Sequence, residues 1–162
     1  METIEKEYLG LAAEYAVASE LCRRSIYAQL TLGTRKRTDL LIETDTRMLR
    51  IQVKAKQGNS WPNCRGIYGE NIGLVLADYK GKQEHEKPAF YVLTVEDWIN
   101  LVRRECADGI GTGDIVIDNQ NVPVWLKQVR NGRPYKGMGV STSQVSACKE
   151  RWDKIEAMVG NR

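Results

Sequence analysis

The sequence predicts a mixed α/β fold in which one central β-sheet is flanked by helices. Two observations favour this class: three segments carry apolar residues at helical spacing, and five segments show the alternating or continuous apolar patterns of strands. Helices at both ends of the chain, with strands between them, are typical of one sheet covered by helices. With 162 residues, 42% of them hydrophobic, the chain is expected to form one domain over residues 1–162.

The first half of the chain is predicted to contain one helix and three strands. Apolar residues recur at helical spacing over residues 3–24, which predicts an amphipathic helix. The strands follow over residues 25–32, 38–44 and 47–57, and a two-residue turn joins the last two. Alternate residues of the third strand point to opposite faces of the sheet, so one face carries Arg50, Gln52, Lys54 and Lys56.

The second half is predicted to continue as loop, two strands, helix, small hairpin and helix. Gly, Asn and Pro make residues 58–71 a loop or hairpin, and strands follow at 72–80 and 89–94. Thr94 can cap the helix that comes next, which the glycine-rich residues 108–113 are expected to end. A hairpin over 114–125 and a last helix over about 143–159 complete the chain.

Composition excludes several classes of function. No apolar run approaches the length of about 20 residues that a membrane span needs, and the N-terminus is acidic and polar, so we expect a cytoplasmic protein without membrane contact. The only histidine, His85, lies in a mixed-charge run, which argues against histidine-based catalysis. The four cysteines form no CxxC pair, which argues against a zinc site.

Three polar residues on neighbouring strands form the candidate catalytic group. Asp39 begins the second strand, and Gln52 and Lys54 share one face of the third. If the turn pairs these strands as a hairpin, the spacing of 13 residues brings Asp39 close to Gln52. Hydrolysis of a phosphodiester requires oxygen ligands for Mg²⁺ and a positive group near the scissile phosphate, and this set supplies both.

Glu14 on the first helix is expected to complete the group. It lies four residues after Gly10, so the two residues share one face of the helix. A glycine inside a helix costs about 1 kcal/mol relative to alanine. This cost would be explained if Gly10 lets the helix approach the sheet closely and so brings Glu14 to the site.

These residues, in this order of elements, resemble the PD-(D/E)XK nuclease superfamily, which includes restriction enzymes and archaeal Holliday-junction resolvases. Glu14, Asp39 and the segment QVK at residues 52–54 carry the resemblance, and their spacing is similar to that of small intron-encoded homing endonucleases. In that branch, as here, glutamine replaces the acid of the motif. The resemblance covers about residues 5–100 and implies a restriction-endonuclease-like core.

The resemblance also implies roles for these residues. Asp39 would be the principal metal ligand, with Gln52, the carbonyl of Val53 and Glu14 as further ligands of Mg²⁺ or Mn²⁺. Lys54 would orient the attacking water or stabilise the charge on the phosphate. Because a neutral amide is a weaker ligand than a carboxylate, Gln52 is expected to lower the affinity for metal.

Two basic clusters and one loop are candidates for DNA binding, although solvated surface turns would look the same. The first cluster, at residues 35–37, lies just before Asp39. The second, at residues 127–136, follows Trp125 and contains four cations and no acidic residue. The candidate contacts are Arg35, Lys36, Arg37, Lys56, Trp61, Arg65, Lys127, Arg130, Arg133 and Lys136.

The sequence therefore predicts a metal-dependent DNA endonuclease, expected to act as a homodimer because one site per chain cannot cut two strands. Two alternatives remain open. The first is a DNA-binding protein of the same fold that is weakly active or inactive because Gln52 replaced an acid. The second is a structural or partner-binding subunit that does not bind nucleic acid.

Overall fold

A computed structural model describes residues 3–31 and 38–160. Its elements are α1 (Lys6–Arg23), β1 (Gln29–Leu30), β2 (Leu40–Glu43), β3 (Met48–Lys56), β4 (Ser60–Cys64), β5 (Ile72–Asp78), β6 (Ala89–Leu93), α2 (Val95–Glu105), α3 (Ala107–Thr112), β7 (Ile115–Ile117), β8 (Pro123–Arg130), β9 (Arg133–Lys136), β10 (Met138–Ser141), a 3-10 helix (Ser146–Cys148) and α4 (Asp153–Val159). None of the described helices combines the length and apolar character required to cross a bilayer.

The centre of the fold is a mixed five-stranded sheet in the order β1-β2-β3-β5-β6. β3 and β5 pair in parallel, and the other neighbours are antiparallel. The hairpin β2–β3 sets Leu40 opposite Ile51. The alternating apolar residues of β2 and β3 are the pattern by which the sequence predicts both strands.

Packed layers cover both faces of this sheet. On one face, apolar residues of α1 and α4 pack against alternate residues of β2 and β3. On the other face, α2 and the small sheet β4–β10 bury a second cluster around Trp61 and Trp98. The mixed α/β class with a central sheet between helices, as expected from the sequence, is confirmed.

Local signals predict some boundaries well. Thr94 caps α2 through its hydroxyl, which accepts the N–H of Asp97, and the Asp97 carboxylate accepts the N–H of Thr94 in return. This reciprocal capping box needs only Thr94 and Asp97, three residues apart, so the start of α2 can be predicted from a short segment of sequence. Trp98 itself is fully buried, as its helical spacing indicates.

Other expected elements differ from the structure. The strand expected at 25–32 is reduced to β1, because Ser25 adopts a left-handed conformation directly after α1. The helix expected to end at the glycine-rich stretch 108–113 ends earlier, because α2 stops at Glu105. The stretch itself lies largely within a second short helix, α3, which ends at the left-handed Gly113. The last helix is shorter than expected, since Glu150 has positive φ and donates its N–H to Phe90 on the edge strand β6.

The loop or hairpin expected at 58–71 contains the strand β4. Local sequence signals miss this strand because its partner is distant in the sequence. β4 pairs antiparallel with β10, with Trp61 opposite Val140. The basic stretch that follows Trp125 also forms regular structure, as strands β8 and β9 of a three-stranded sheet with β7. The pairing of β4 with β10 cannot be inferred from local periodicity.

Candidate active site

Asp39 is held by backbone hydrogen bonds where β2 begins. Its N–H donates to the carbonyl of Ile51 at 3.0 Å, and its own carbonyl accepts the N–H of Thr31 at 2.9 Å. The carboxylate oxygen Oδ2 accepts the N–H of Val53 at 2.6 Å. The regular register of β2 with β3 ends at Leu40 opposite Ile51, and Asp39 lies at a bend one residue before it, where it bonds both Ile51 and Val53 across the hairpin.

The surroundings of Asp39 raise the pKa of its carboxyl group above the ordinary value of 3.8. Partial burial is the largest cause, because it removes water from the charged form. The N–H of Val53 and the positive charge of Lys54 act in the opposite direction but do not cancel it. A cation bound at this carboxylate would supply the solvation that burial removes.

Gln52, which lies between the two residues of β3 that bond Asp39, has a side-chain oxygen atom without a described partner. Its side chain is 7% exposed, and among the described residues no donor reaches Oε1. A buried acceptor without a hydrogen bond is costly, and such atoms are rare in native proteins. An oxygen of this kind is available to a metal ion, which needs no hydrogen atom to bind it.

Glu14 on α1 is electrostatically coupled to the same position. Its pKa is raised, first because the carboxyl is partly buried and second because the negative charge of Asp39 lies near it. The two carboxylates repel each other, which is the electrostatic situation that a divalent cation relieves. The structure thus brings Glu14 towards Asp39, as the sequence analysis expects.

Gly10 does not have the role that the sequence analysis assigned to it. A Cβ atom built at Gly10 meets no atom within 4 Å, so the helix does not approach the sheet closely there. The position of Glu14 follows instead from apolar contacts of α1 with the sheet. The expectation of a close approach at Gly10 was wrong.

Lys54 supplies the positive charge of the group. It lies two residues after Gln52 on β3, remains exposed, and is close enough to Asp39 to lower the pKa of that carboxyl. Its charge also acts on the thiol of Cys64 in β4, although burial dominates there and raises the thiol pKa to about 12. Lys54 therefore lies between the Asp39 carboxylate and strand β4.

The donor set is suited to a hard divalent cation. Carboxylate and amide oxygens are the ligands that Mg²⁺ and Mn²⁺ favour, and Asp39, Glu14 and the free oxygen of Gln52 are of this kind. The described residues contain no group of three or more His, Cys, Asp or Glu side chains that could hold a metal. With two carboxylates and one amide, a cation here would keep several of its waters.

Two residues expected to contact DNA are buried instead. Lys56 is 3% exposed, and its ammonium group bonds Asp78 at 2.6 Å and the carbonyl of Gly58 at 3.1 Å. Trp61 is 1% exposed and lies against the Lys56 ammonium at 4.7 Å. Neither side chain can reach a ligand at the surface, so both assignments are corrected to structural roles.

A groove between β4 and the β8–β9 hairpin gathers other expected DNA contacts. It has a volume of about 960 Å³, and no acidic residue lies among its lining side chains. The residues that line it are Asn63, Arg65, Val124, Arg130, Asn131, Arg133, Pro134, Tyr135 and Lys136. Tyr135 connects its two walls, because its hydroxyl bonds the side chain of Asn63 at 2.8 Å.

The cations of this region differ in their partners. Lys127 bonds Asp114 at 2.8 Å, and Lys136 bonds Asp118 at 3.2 Å. Arg130 stacks over the ring of Tyr135 at 4.3 Å, and neither Arg130 nor Arg133 forms an ion pair with any described carboxylate. The two arginines are therefore the cations of this hairpin that remain free to bind an anion.

Sequence reasoning missed two residues of the groove, Asn63 and Asn131. Both adopt positive φ, which asparagine tolerates better than most residues. The pair Asn131–Gly132, with positive φ at both residues, is the turn signal that could have identified the β8–β9 hairpin. Arg35, Lys36 and Arg37 lie outside the described residues.

Comparison with known proteins adds little to this geometry. No protein-family model matches the sequence, and a search among curated proteins finds no match. Among solved structures, the bacterial homing endonuclease I-Ssp6803I is similar at 20% identity with a TM-score of 0.41. The match covers 57% of this chain and 71% of that one.

Proposed function

We propose that this protein is a divalent-metal-dependent endonuclease that hydrolyses phosphodiester bonds of DNA. The observation that carries the proposal is the buried, unpartnered oxygen of Gln52, the residue of β3 between the two that hold Asp39 by hydrogen bonds. An orphaned oxygen beside a partly desolvated carboxylate is expected where a cation binds. Lys54, exposed on the same face of β3, adds the positive charge that phosphate chemistry requires.

Asp39, Gln52 and Glu14 would hold Mg²⁺ or Mn²⁺, and the carbonyl of Val53 is a further candidate ligand. A bound cation of this kind supplies Lewis-acid charge and lowers the pKa of water. Asp39 is oriented for this role by the N–H of Val53, which leaves its other oxygen available. Glu14, whose carboxyl lies near the charge of Asp39, would hold the metal or one of its waters.

Lys54 would position the phosphate that is cut. Its ammonium group is exposed and lies near Asp39, so it can donate to a phosphate oxygen and stabilise negative charge that develops there. Lysine is suited to this role as a mobile point charge with three donors. The same charge acts on Cys64 of β4, whose neighbours Asn63 and Arg65 line the basic groove.

The basic groove would bind the DNA backbone next to the cutting site. Arg65, Arg130 and Arg133 can each contact phosphates, which supply most of the affinity of proteins for DNA independently of sequence. A groove lined by three arginines and by no acidic residue favours a polyanion such as a nucleic acid over a small phosphate ester as substrate.

The test is cleavage of supercoiled plasmid and of a four-way junction with Mg²⁺, Mn²⁺ or EDTA. The wild type is compared with Lys54→Met and with Lys80→Met, a matched control at an exposed lysine that contacts Asn59. We expect metal-dependent nicking by the wild type and the control. Lys54→Met should lose cleavage by at least about a hundredfold while DNA affinity changes only a few-fold.

Three other results would each have a distinct meaning. Equal activity of Lys54→Met and the wild type would contradict the assigned site. Salt-dependent DNA binding without cleavage under any metal would favour the alternative, an inactive DNA-binding protein, which the neutral ligand Gln52 also permits. Absence of both would contradict the proposal entirely.

A further inference from the structure

The outward face of α1 carries a row of uncharged residues that no part of the described chain covers. Five exposed residues, separated by four, three, four and three positions, lie along it: Tyr8, Ala12, Tyr15, Ser19 and Cys22. This is the heptad spacing of a seam between two packed helices. A solvent-facing stripe of a globular protein is normally charged or polar, so its composition needs an explanation.

The inner face of the same helix is already buried in the protein. Ala13, Val17 and Leu21 pack in the core against the central sheet and are fully buried. By contrast Tyr8 is 64% exposed and Tyr15 is 60% exposed, and Leu11 beside them is 45% exposed. The helix thus has two packing faces, of which only one is used, and contiguous exposed apolar residues mark interaction sites.

Large and small side chains alternate along this row of α1, and this alternation suits packing against a second copy of the same helix. Large tyrosines occupy one set of heptad positions, and the small residues Ala12 and Ser19 occupy the other. If a second α1 packs antiparallel, Tyr15 of one copy meets Ala12 of the other, and Tyr8 meets Ser19. Each contact then occurs twice, as twofold symmetry requires. We propose that α1 packs antiparallel against α1 of a second copy of this chain.

The charges at the two ends of the helix match the same register. Glu5 at the start of α1 and Arg23 at its end lie on the same side of the seam, so antiparallel packing brings them together across the interface. The side chain of Arg23 is 68% exposed and bonds Glu20 at 3.1 Å. Because Arg24 also bonds Glu20, at 2.7 Å, Arg23 can turn to a carboxylate of the second copy without leaving Glu20 unpaired. Parallel packing would instead place like charges together.

This inference concerns assembly and does not depend on the proposed nuclease function. Its first test is the mass of the metal-free protein in solution, measured by light scattering over about 1–100 μM protomer. We expect a dimer, or a higher assembly of even number. Tyr15→Glu should halve that mass, while Tyr27→Glu, a control at a tyrosine that is 68% exposed off α1, should leave it unchanged.

Far-UV circular dichroism separates dissociation from unfolding in these variants. A wild type that is monomeric over the whole range would overturn the proposal. A folded Tyr15→Glu variant that keeps the mass of the wild type would overturn it too, since the interface would then lie elsewhere.

The second test determines the orientation of the two helices. In the antiparallel register Cys22 faces Glu5 of the second copy, and the two Cys22 residues lie about 25 Å apart at 1.5 Å per residue. Under oxidation we expect Glu5→Cys to form a covalent dimer. The wild type should not, and neither should Glu5→Cys combined with Cys22→Ser. The other three cysteines are buried. A disulfide-linked wild-type dimer would indicate parallel packing and contradict the proposal.

Discussion

The carboxylate of Asp39 accepts a hydrogen bond of 2.6 Å from the backbone N–H of Val53, one residue beyond the buried amide of Gln52. This bond fixes the acid against the strand that carries the other candidate ligands. It also leaves the second carboxylate oxygen and Oε1 of Gln52 without a described donor. The hydrogen bond orients the acid and favours its charged form, whereas partial burial, the larger effect, raises its pKa.

Asp39→Asn is expected to change how stability depends on pH and metal. The folded pKa of Asp39 is raised, so between the ordinary value of 3.8 and the folded value the native state binds more protons than the unfolded state. Stability from this group is present below that window and lost as pH rises through it. The variant should therefore melt at a higher temperature than the wild type at neutral pH without metal.

Addition of Mg²⁺ should reverse this order. Binding of Mg²⁺ to the native state raises the melting temperature of the wild type. Asp39→Asn should gain little, because it lacks one of the charged side chains that hold the metal. Thermal melts with and without Mg²⁺ measure both effects, and Asp153→Asn, at an exposed acid, is the control. A metal-induced shift of equal size in Asp39→Asn would contradict the assigned metal site.

Replacement of Gln52 tests whether its oxygen is kept for a ligand. Gln52→Leu removes a buried acceptor without a partner, so the metal-free protein should become more stable by about 1 kcal/mol while metal-dependent cleavage is lost. Gln52→Glu should retain cleavage and bind metal more tightly, because it adds a charge. Urea unfolding and metal titration provide the readouts. Destabilisation by Gln52→Leu would mean that the amide has a structural partner.

Lys56→Met is expected to affect folding rather than DNA binding. Its ammonium group is buried against Asp78, and breaking a buried ion pair costs about 3 kcal/mol because one charge is left without its partner. The double variant with Asp78→Asn should recover part of this loss. Chemical unfolding measures the stability. A stable Lys56→Met protein that binds DNA weakly would restore the rejected DNA-binding role.

The β8–β9 hairpin offers a matched comparison of cations. Arg130→Ala combined with Arg133→Ala should lower the slope of log affinity against log salt by about 2, because each phosphate contact contributes about 0.9. Lys127→Ala should change the slope by less than one unit, since Lys127 already bonds Asp114. Binding to duplex DNA at several salt concentrations gives the slopes. Equal slopes for all three proteins would place the DNA elsewhere.

The sequence by itself determined the features that depend on near neighbours. Alternation along β3 puts Gln52 and Lys54 on one face, and the short turn between β2 and β3 is enough to bring Asp39 beside that strand, where its carboxylate accepts the N–H of Val53. The capping of α2 by Thr94 is equally local. These features follow from backbone geometry that repeats every two or every three to four residues, and this geometry is encoded in short segments.

Only the tertiary structure decided which polar side chains are free and which are used. Lys56 and Lys54 are equivalent in the sequence pattern, yet Asp78 on the neighbouring strand and the ring of Trp61 bury one and leave the other exposed. The orphaned oxygen of Gln52 was likewise beyond the reach of the sequence. Burial and pairing depend on contacts between distant segments, such as β4 with β10, and no local pattern specifies them.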